Sequence, residues 1–260
     1  MARRRSPRWI VGEDLSEASS LLAFHVADVA RRSVRARGRF RLVVAGGNTP
    51  RELYQRLGDG TVGPLPWSRT WIYWGDERLV PPERPESNFR MTRESLLDHV
   101  RVPPGHVRRM RGELEPPAAA TRDYERSLAP AFSGPGPAFD LVLLGMGPDA
   151  HTASLFPNAP ELSIRDRGVA LVPRSPDPPQ VPRLTLTLPA LTSSRSICFL
   201  VAGDDKAKAL ERTYRSLPRG SPRYPSSLVL ARAPARTRVY LDRGAATRLP
   251  SRALETGSTR

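Results

Sequence analysis

An acid and an imidazole that directly follow a buried strand are the residues of this chain best suited to chemistry. The apolar run Phe139 to Leu144 has the length of a buried strand, and it leads through a glycine-rich turn to Asp149 and His151. Ligands of open α/β sheets bind beyond the carboxyl ends of such strands. An imidazole can accept a proton from water near neutral pH, and a neighbouring carboxylate can fix its tautomer and stabilise the imidazolium. The pair predicts a hydrolytic base with an orienting acid.

A second loop, Gly46-Gly47-Asn48-Thr49-Pro50, has the features of a phosphate site. Thr49 can cap the helix that follows, with Pro50 at its first position. Two glycines let the backbone approach a ligand closely, and the free N–H groups at a helix start favour an anion. Glycine turns before helices are also common without a ligand, so this loop alone leaves both interpretations open.

Charged side chains follow the aromatic strand predicted over residues 69–74. Asp76, Glu77 and Arg78 can bind a sugar hydroxyl and a phosphate, or they can form local ion pairs on a solvated loop. Asn88 starts a predicted helix and is either a ligand contact or only its cap. These residue types are compatible with a sugar phosphate without requiring one.

Two further cations lie at predicted element starts. Arg183 opens a short strand, and Lys206 opens a helix predicted over residues 204–216. Either can bind an anion. Arginines are scattered along the whole chain, and Lys206 can simply pair with an acid, so neither residue predicts a site by itself.

The elements that must position these loops alternate between strand and helix. Strands are predicted at residues 8–11, 39–45, 69–74, 139–144, 169–172, 183–187, 196–201 and 238–241, and helices at residues 16–29, 50–57, 88–100, 118–131 and 204–216. Such alternation implies parallel pairing with right-handed crossovers. We therefore expect a single α/β domain over residues 1–243 with a mostly parallel, Rossmann-like sheet and helices on both faces. Residues 244–260 contain few large apolar side chains and are expected to form a disordered tail.

Composition excludes several classes of protein. The 260 residues carry a formal net charge of +15, almost all from arginine. Because the arginines are scattered and no aromatic-interleaved basic stretch occurs, we interpret the charge as compositional and expect no nucleic-acid partner. No apolar run reaches membrane-spanning length and no signal peptide is recognisable, so a cytoplasmic protein without a membrane partner is expected. Cys198 is the only cysteine, which excludes an intrachain disulfide and a cysteine-cluster metal site.

Taken together, the four loops resemble those of the 6-phosphogluconolactonases, a family within the glucosamine/galactosamine-6-phosphate isomerase superfamily. The matching segments are residues 46–50, 74–88, 144–157, 183–187 and 202–206. The resemblance implies a hydrolase that converts 6-phosphoglucono-δ-lactone to 6-phosphogluconate in the oxidative pentose phosphate pathway. It also implies that no metal or organic cofactor is needed, and it is compatible with a monomer or a small homo-oligomer.

The resemblance also implies roles for individual residues. His151 is then the base that activates water, and Asp149 orients the site. Phosphate or oxyanion binding falls to Arg78, Arg183 and Lys206, together with the backbone of Gly46, Gly47, Asn48 and Thr49. Asp76, Glu77 and Asn88 are possible further members of the site.

The chain departs from the family pattern at two positions. Ala150 stands where the family usually has glycine, and alanine costs roughly 1 kcal/mol or more if the position needs a positive φ. Asn48 replaces a common serine, which is a mild change because asparagine also tolerates turns and donates hydrogen bonds.

Two other functions fit parts of the same pattern. A glucosamine-6-phosphate deaminase resembles this pattern, but it is expected to have a carboxylate where this chain has Phe156 and a tyrosine where it has Arg78. A non-catalytic sugar-phosphate sensor or nucleic-acid-binding protein fits the charge, but the chain shows no helix-turn-helix signal and retains His151.

Overall fold

Eight parallel strands form the central sheet of the computed structural model, which describes residues 6–256. The strands of the whole protein are β1 Arg8–Val11, β2 Phe40–Val44, β3 Thr70–Trp74, β4 Asp76–Arg78, β5 Val107–Arg108, β6 Phe139–Leu144, β7 Val169–Val172, β8 Arg183–Leu186, β9 Ser194–Val201, β10 Thr237–Leu241 and β11 Leu254–Thr256. The central sheet has the order β11-β1-β10-β9-β6-β2-β3-β5. All six residues of β6 are buried, as expected for a central strand covered on both faces.

Helices flank this sheet, which confirms the predicted single-domain α/β fold. They are α1 Leu15–Arg37, α2 Arg51–Gly58, α3 Asn88–Ser95, α4 Pro117–Phe132, α5 Leu188–Thr192, α6 Ala207–Arg215, α7 Pro225–Arg232 and α8 Arg243–Ala246. The helix α1 places Leu22, Val26 and Val29 in the core, following the periodicity of its apolar residues. Within residues 6–256, no helix has both the length and the hydropathy that a membrane crossing requires.

Helix starts differ from the sequence prediction because side-chain caps compete locally. Asp14 rather than Ser16 caps α1 by accepting a hydrogen bond from the Glu17 N–H group. Ser87 rather than Asn88 caps α3. Helix α2 begins at Arg51, after Pro50, and its start has no side-chain cap, so the predicted Thr49 cap is wrong.

A separate antiparallel sheet was not predicted. Its order is β4-β8-β7, and it contains the segment Asp76–Arg78 that the sequence analysis treats as a loop. The short connection between β7 and β8 lets the chain return antiparallel to itself, since no crossover helix intervenes. The strands β7 and β8 therefore lie outside the parallel sheet that they were expected to extend.

The carboxyl-terminal segment also differs from the expectation. Residues 243–246 form α8, capped by Asp242, and β11 pairs with β1 in parallel at the sheet edge. The prediction of a disordered tail is therefore wrong for residues 244–256. Pairing with β1 supplies backbone hydrogen bonds that a count of apolar residues does not detect. Residues 257–260 of that tail lie outside the described residues.

Candidate active site

A cavity of about 330 Å³ lies at the carboxyl edge of the central sheet. Loops that follow β2, β3, β6 and β9 line it, as expected for a ligand site in an open α/β sheet. The predicted residues among its lining are Gly46, Gly47, Asn48, Thr49, Asp76, Arg78, Asn88, His151, Arg183 and Lys206. Asp149 is not itself a lining residue, but its side chain contacts His151, which is. Glu77 does not line the cavity.

The side chains of His151 and Asp149 form a close pair. His151 Nδ1 lies 2.6 Å from Asp149 Oδ1, and the same oxygen accepts the His151 backbone N–H at 3.0 Å. Burial of Asp149 raises the pKa of its carboxyl group, but the hydrogen bonds and charge of His151 outweigh burial and the net pKa is lowered. An ionised carboxylate can only accept hydrogen bonds, so Nδ1 carries the proton. In the neutral imidazole, Nε2 is then the nitrogen that can accept a proton.

The turn that carries this pair is tight. Gly147 donates its N–H to the His151 carbonyl at 2.9 Å, and a Cβ atom at Gly147 would lie 2.1 Å from the imidazole. The Ser226 hydroxyl and N–H group hold the Ala150 carbonyl at 2.9 and 3.0 Å. These bonds fix where the imidazole lies.

Ala150 adopts a φ of 69° and is fully buried. The condition stated for this position, a positive φ, is therefore met. The strain costs about 1–2 kcal/mol relative to an unstrained residue. The hydrogen bonds from Ser226 to the Ala150 carbonyl hold the turn in this conformation, so the loop keeps its shape despite the missing glycine.

Sequence reasoning missed Asp177, which lies on the other side of the imidazole. Its Oδ2 is 3.5 Å from His151 Nε2, and its backbone carbonyl accepts a hydrogen bond from Arg183 at 2.9 Å. The imidazole thus lies between two carboxylates. The only sequence signal was an acid in the proline-rich segment just before β8, and nothing local indicates that this segment reaches back to His151.

Two arginines lie opposite each other on adjacent strands of the small antiparallel sheet. Arg78 in β4 is directly opposite Arg183 in β8. Arg183 is 3% exposed, and its burial lowers the pKa of its guanidinium, with Arg78 acting in the same direction. The Nε atoms of both residues are buried and have no partner among the described residues. Like charges directly opposite in a ladder are destabilising, so this arrangement is typical of a site that binds an anion.

The glycine loop lines the same cavity as the two arginines. Gly47 has a φ of 85°, and a Cβ atom at Gly46 would lie 2.1 Å from the Asn88 side chain. The hydrogen bonds of residues 6–256 include none donated by the N–H groups of residues 46–49. These donors are therefore free for a ligand. Lys206, whose Nζ lies 2.9 Å from Asp205, adds a partly paired cation to the lining.

Asp76 and Asn88 brace the floor of the cavity. The Asn88 side-chain amide donates to the Asp76 carbonyl at 2.9 Å, and the Ser154 hydroxyl donates to Asp76 Oδ2 at 2.7 Å. Asn88 Oδ1 is buried without a partner among the described residues, so it can accept a hydrogen bond from a ligand hydroxyl. Both residues join the lining, as the sequence analysis suggested.

Glu77 has a structural position instead. Its carboxylate accepts the backbone N–H groups of Asn88 and Phe89, each at 2.8 Å, and the Ser87 hydroxyl at 3.1 Å. It thus caps α3 from a distant strand. Burial raises the pKa of Glu77 to about 7 despite these hydrogen bonds.

Fold and site together define an α/β protein in which an acid–imidazole pair shares one cavity with two directly opposed arginines. Within residues 6–256, no group of three or more His, Cys, Asp or Glu side chains is placed to hold a metal ion. The family model described as glucosamine-6-phosphate isomerases/6-phosphogluconolactonase matches residues 13–240, and the chain belongs to this family.

Individual relatives agree with that assignment. A 6-phosphogluconolactonase of Synechocystis sp. is 39% identical over 202 residues, which cover 76% of this chain and 80% of the relative. The crystal structure of a 6-phosphogluconolactonase from Thermotoga maritima superposes with a TM-score of 0.79 at 30% identity, covering 91% of this chain and all of that one. A monomeric glucosamine-6-phosphate deaminase reaches the same TM-score at 21% identity, with 93% and 99% covered. The last likeness concerns the fold alone, so the fold does not separate the two activities.

Proposed function

We propose that this protein hydrolyses 6-phosphoglucono-δ-lactone to 6-phosphogluconate. The observation that carries the proposal is that the imidazole of His151 and the paired guanidinium groups of Arg78 and Arg183 line one cavity of about 330 Å³. The arginines suit a dianionic phosphate, and the histidine supplies a proton acceptor in the same cavity. The named 6-phosphogluconolactonase relatives support the same reaction.

Phosphate binding positions the substrate. Arg78 and Arg183 offer unpaired Nε–H groups, and the N–H groups of residues 46–49 add neutral donors. Guanidinium forks match phosphate oxygens in geometry and charge. Lys206 is a further cation for the phosphate or for the oxyanion. Fixing the phosphate places the lactone carbonyl within reach of the base, which replaces a random encounter with an oriented one.

His151 then moves one proton in each direction. Its Nε2 accepts a proton from water while the water oxygen forms a bond to the lactone carbonyl carbon. The tetrahedral intermediate collapses by cleavage of the bond to the ring oxygen, and His151 returns the proton to that oxygen. The products are a sugar hydroxyl and a carboxylic acid, which ionises at neutral pH. Asp149 stabilises the transient imidazolium through Nδ1.

Asp177 orients the attacking water in this proposal. Its carboxylate and the unprotonated Nε2 are both acceptors, and they lie 3.5 Å apart. A water molecule in contact with both can donate one hydrogen to each. This leaves its oxygen lone pairs free for the carbonyl carbon, as a nucleophile requires.

A deaminase reaction is less well supported. Phe156 occupies the position at which a carboxylate was expected for that chemistry, and its ring lies 4.8 Å from the His151 ring and 5.6 Å from the Arg183 guanidinium. An apolar ring there can pack against the imidazole but cannot transfer a proton between sugar carbons.

Hydrolysis of the lactone by wild type and His151→Ala tests the proposal directly. The rate above spontaneous hydrolysis should fall by about 10²- to 10⁴-fold in the variant. His99→Ala is the matched control, because His99 is exposed and its side chain bonds only to the Glu94 carbonyl among the described residues. Full activity in His151→Ala would remove the histidine from its role. Absence of wild-type activity together with salt-sensitive DNA binding would favour the sensor function instead.

Several expectations go with this proposal. We expect the reaction to need no cofactor, and the protein to act in the cytoplasm as a monomer or a small homo-oligomer without a nucleic-acid partner. These stay predictions.

A further inference from the structure

A second basic cavity, of about 320 Å³, lies at the opposite edge of the central sheet. Five arginines line it: Arg32 and Arg37 of α1, Arg195 at the start of β9, and Arg236 and Arg238 beside and within the start of β10. This edge is formed by the amino ends of the parallel strands, whereas the candidate active site lies at their carboxyl ends. The two cavities share no lining residue.

The positive charge of this basic pocket is only partly compensated, although Asp28 pairs with Arg32 at 2.6 Å from outside the lining. Its lining contains one carboxylate, Asp140, which pairs with Arg37 at 2.8 Å and lies 3.6 Å from Arg195. Arg236 donates to the neutral carbonyl of Ser194 at 2.7 Å. Arg238 has no ion pair or side-chain hydrogen bond to any residue in the range 6–256. A concave surface focuses the field of such charges, so the pocket attracts anions.

Two polar atoms of the same lining lack partners. His25 Nε2 and Ser196 Oγ are buried, and neither forms a hydrogen bond with another described residue. Buried polar atoms are normally paired, so two unpaired ones beside surplus guanidinium groups can form hydrogen bonds with a ligand. The mechanism proposed above uses none of these residues.

We propose that this basic pocket binds a small, multiply charged phosphate-bearing anion. Its concave shape and its volume, close to that of the candidate active site, suit a compact ligand rather than an extended strand. Arg195, Arg236 and Arg238 contact the phosphate oxygens, and His25 and Ser196 complete the donor set. The site is independent of the lactonase reaction and can bind its ligand whether or not that function is correct.

Calorimetric titration with inorganic pyrophosphate at low ionic strength tests the proposal. The arginine pair of the candidate active site also binds phosphates, so wild type should bind two equivalents and Arg183→Gln one. Adding Arg238→Ala to Arg183→Gln should weaken the remaining binding by about tenfold or more, the loss of one charge-assisted hydrogen bond. In the same Arg183→Gln background, Arg238→Lys should keep part of the pyrophosphate affinity, and the exposed control Arg126→Ala should leave this affinity unchanged.

A second variant covers the case in which Arg238→Ala does not fold. Arg195→Ala changes a side chain that is 42% exposed, and it should weaken the same titration while leaving any lactone hydrolysis unchanged. Loss of all pyrophosphate binding in Arg183→Gln, or equal binding by the arginine variants and their parent, would overturn the proposal. Tighter binding of a mixed-sequence 20-base-pair DNA duplex that depends on the same arginines would also overturn it, in favour of a nucleic-acid surface.

Discussion

Replacing Arg183 with glutamine should separate ligand binding from stability. In the ligand-free protein this buried guanidinium lies directly opposite Arg78, and its Nε has no partner among the described residues. Removing one member of a like-charge cross-strand pair is worth about 0.2–1 kcal/mol. Glutamine is neutral and is therefore cheaper to bury than the guanidinium. The variant also loses the hydrogen bond to the Asp177 carbonyl and the contact with the Phe156 ring, which together cost about 1 kcal/mol. We therefore expect the free energy of unfolding of Arg183→Gln to stay within about 1 kcal/mol of that of wild type.

The catalytic efficiency, kcat/KM, of Arg183→Gln should in contrast decrease. Two charge-assisted hydrogen bonds to a phosphate are each worth about 1.5–3 kcal/mol, and glutamine can replace one of them with a neutral bond of about 1 kcal/mol. The net loss of about 2–5 kcal/mol corresponds to a decrease in kcat/KM of roughly 30- to 5000-fold. The decrease should fall mainly on KM if the phosphate contacts are equally strong in the ground and transition states.

Two measurements distinguish these effects. Initial rates of lactone hydrolysis give kcat and KM, and urea unfolding with and without 6-phosphogluconate gives stability. A ligand at 100 times its Kd stabilises the native state by about 2.7 kcal/mol, and a 100-fold weaker Kd reduces this to about 0.4 kcal/mol. Arg183→Lys keeps the charge but not the guanidinium group, so its kcat/KM should lie between those of Arg183→Gln and wild type. The exposed control Arg126→Gln should have the kcat/KM of wild type. Wild-type kcat/KM in Arg183→Gln, or marked destabilisation without ligand, would refute the assignment of Arg183 to phosphate binding.

Three further predictions follow from strained or buried groups. Ala150→Gly should change the free energy of unfolding by less than about 1 kcal/mol, because relief of about 1–2 kcal/mol of strain is offset by a lost buried methyl group and a more flexible unfolded chain; a larger change in urea unfolding would contradict this. Burial, with the charges of Arg238, Arg32 and Arg8, lowers the pKa of His25 to about 4 from 6.5. The unfolded state therefore binds the proton more tightly, so this contribution to stability is complete above pH 6.5 and is lost as the pH falls through 4. Between pH 7.5 and 4.5, the free energy of unfolding of wild type should fall by about 2–3 kcal/mol more than that of His25→Gln. Parallel plots of unfolding free energy against pH would show that burial does not lower the pKa of His25. Burial raises the pKa of Cys198 to about 12, so a thiol reagent at pH 8 should label no cysteine in the native protein and one in guanidinium chloride; labelling of the native state would mean that β9 opens.

Much of the fold was predictable because its signals are local. The apolar run of β6, the glycine turn after it and the helix-spaced apolar residues of α1 each depend on neighbours a few residues away. Together with the rule that ligands bind at the carboxyl ends of parallel strands, they were sufficient to bring residues 46–49, Arg78 and His151 to one cavity. The acid–imidazole pair is two residues apart, so the chain itself brings it together.

Other features depended on contacts between distant segments. Arg78 and Arg183 meet because β4 and β8 pair antiparallel, and Asp177 reaches His151 because the segment before β8 folds back over the cavity. Glu77 resembles a ligand contact in sequence, yet it caps a helix that starts eleven residues later, at Asn88. Strand β11 has little apolar character and is ordered by its pairing with β1.

The amino-acid sequence by itself determined the order of strands and helices, the loops that carry chemistry and the residue types that they present. Only the tertiary structure decided which cations face each other, which carboxylates lie beside the imidazole and which arginines gather at the opposite edge of the sheet. The physical reason is that local conformation follows from propensity and periodicity within a few residues. Strand pairing and loop packing, in contrast, depend on the free energy of burying surfaces that are distant in the chain.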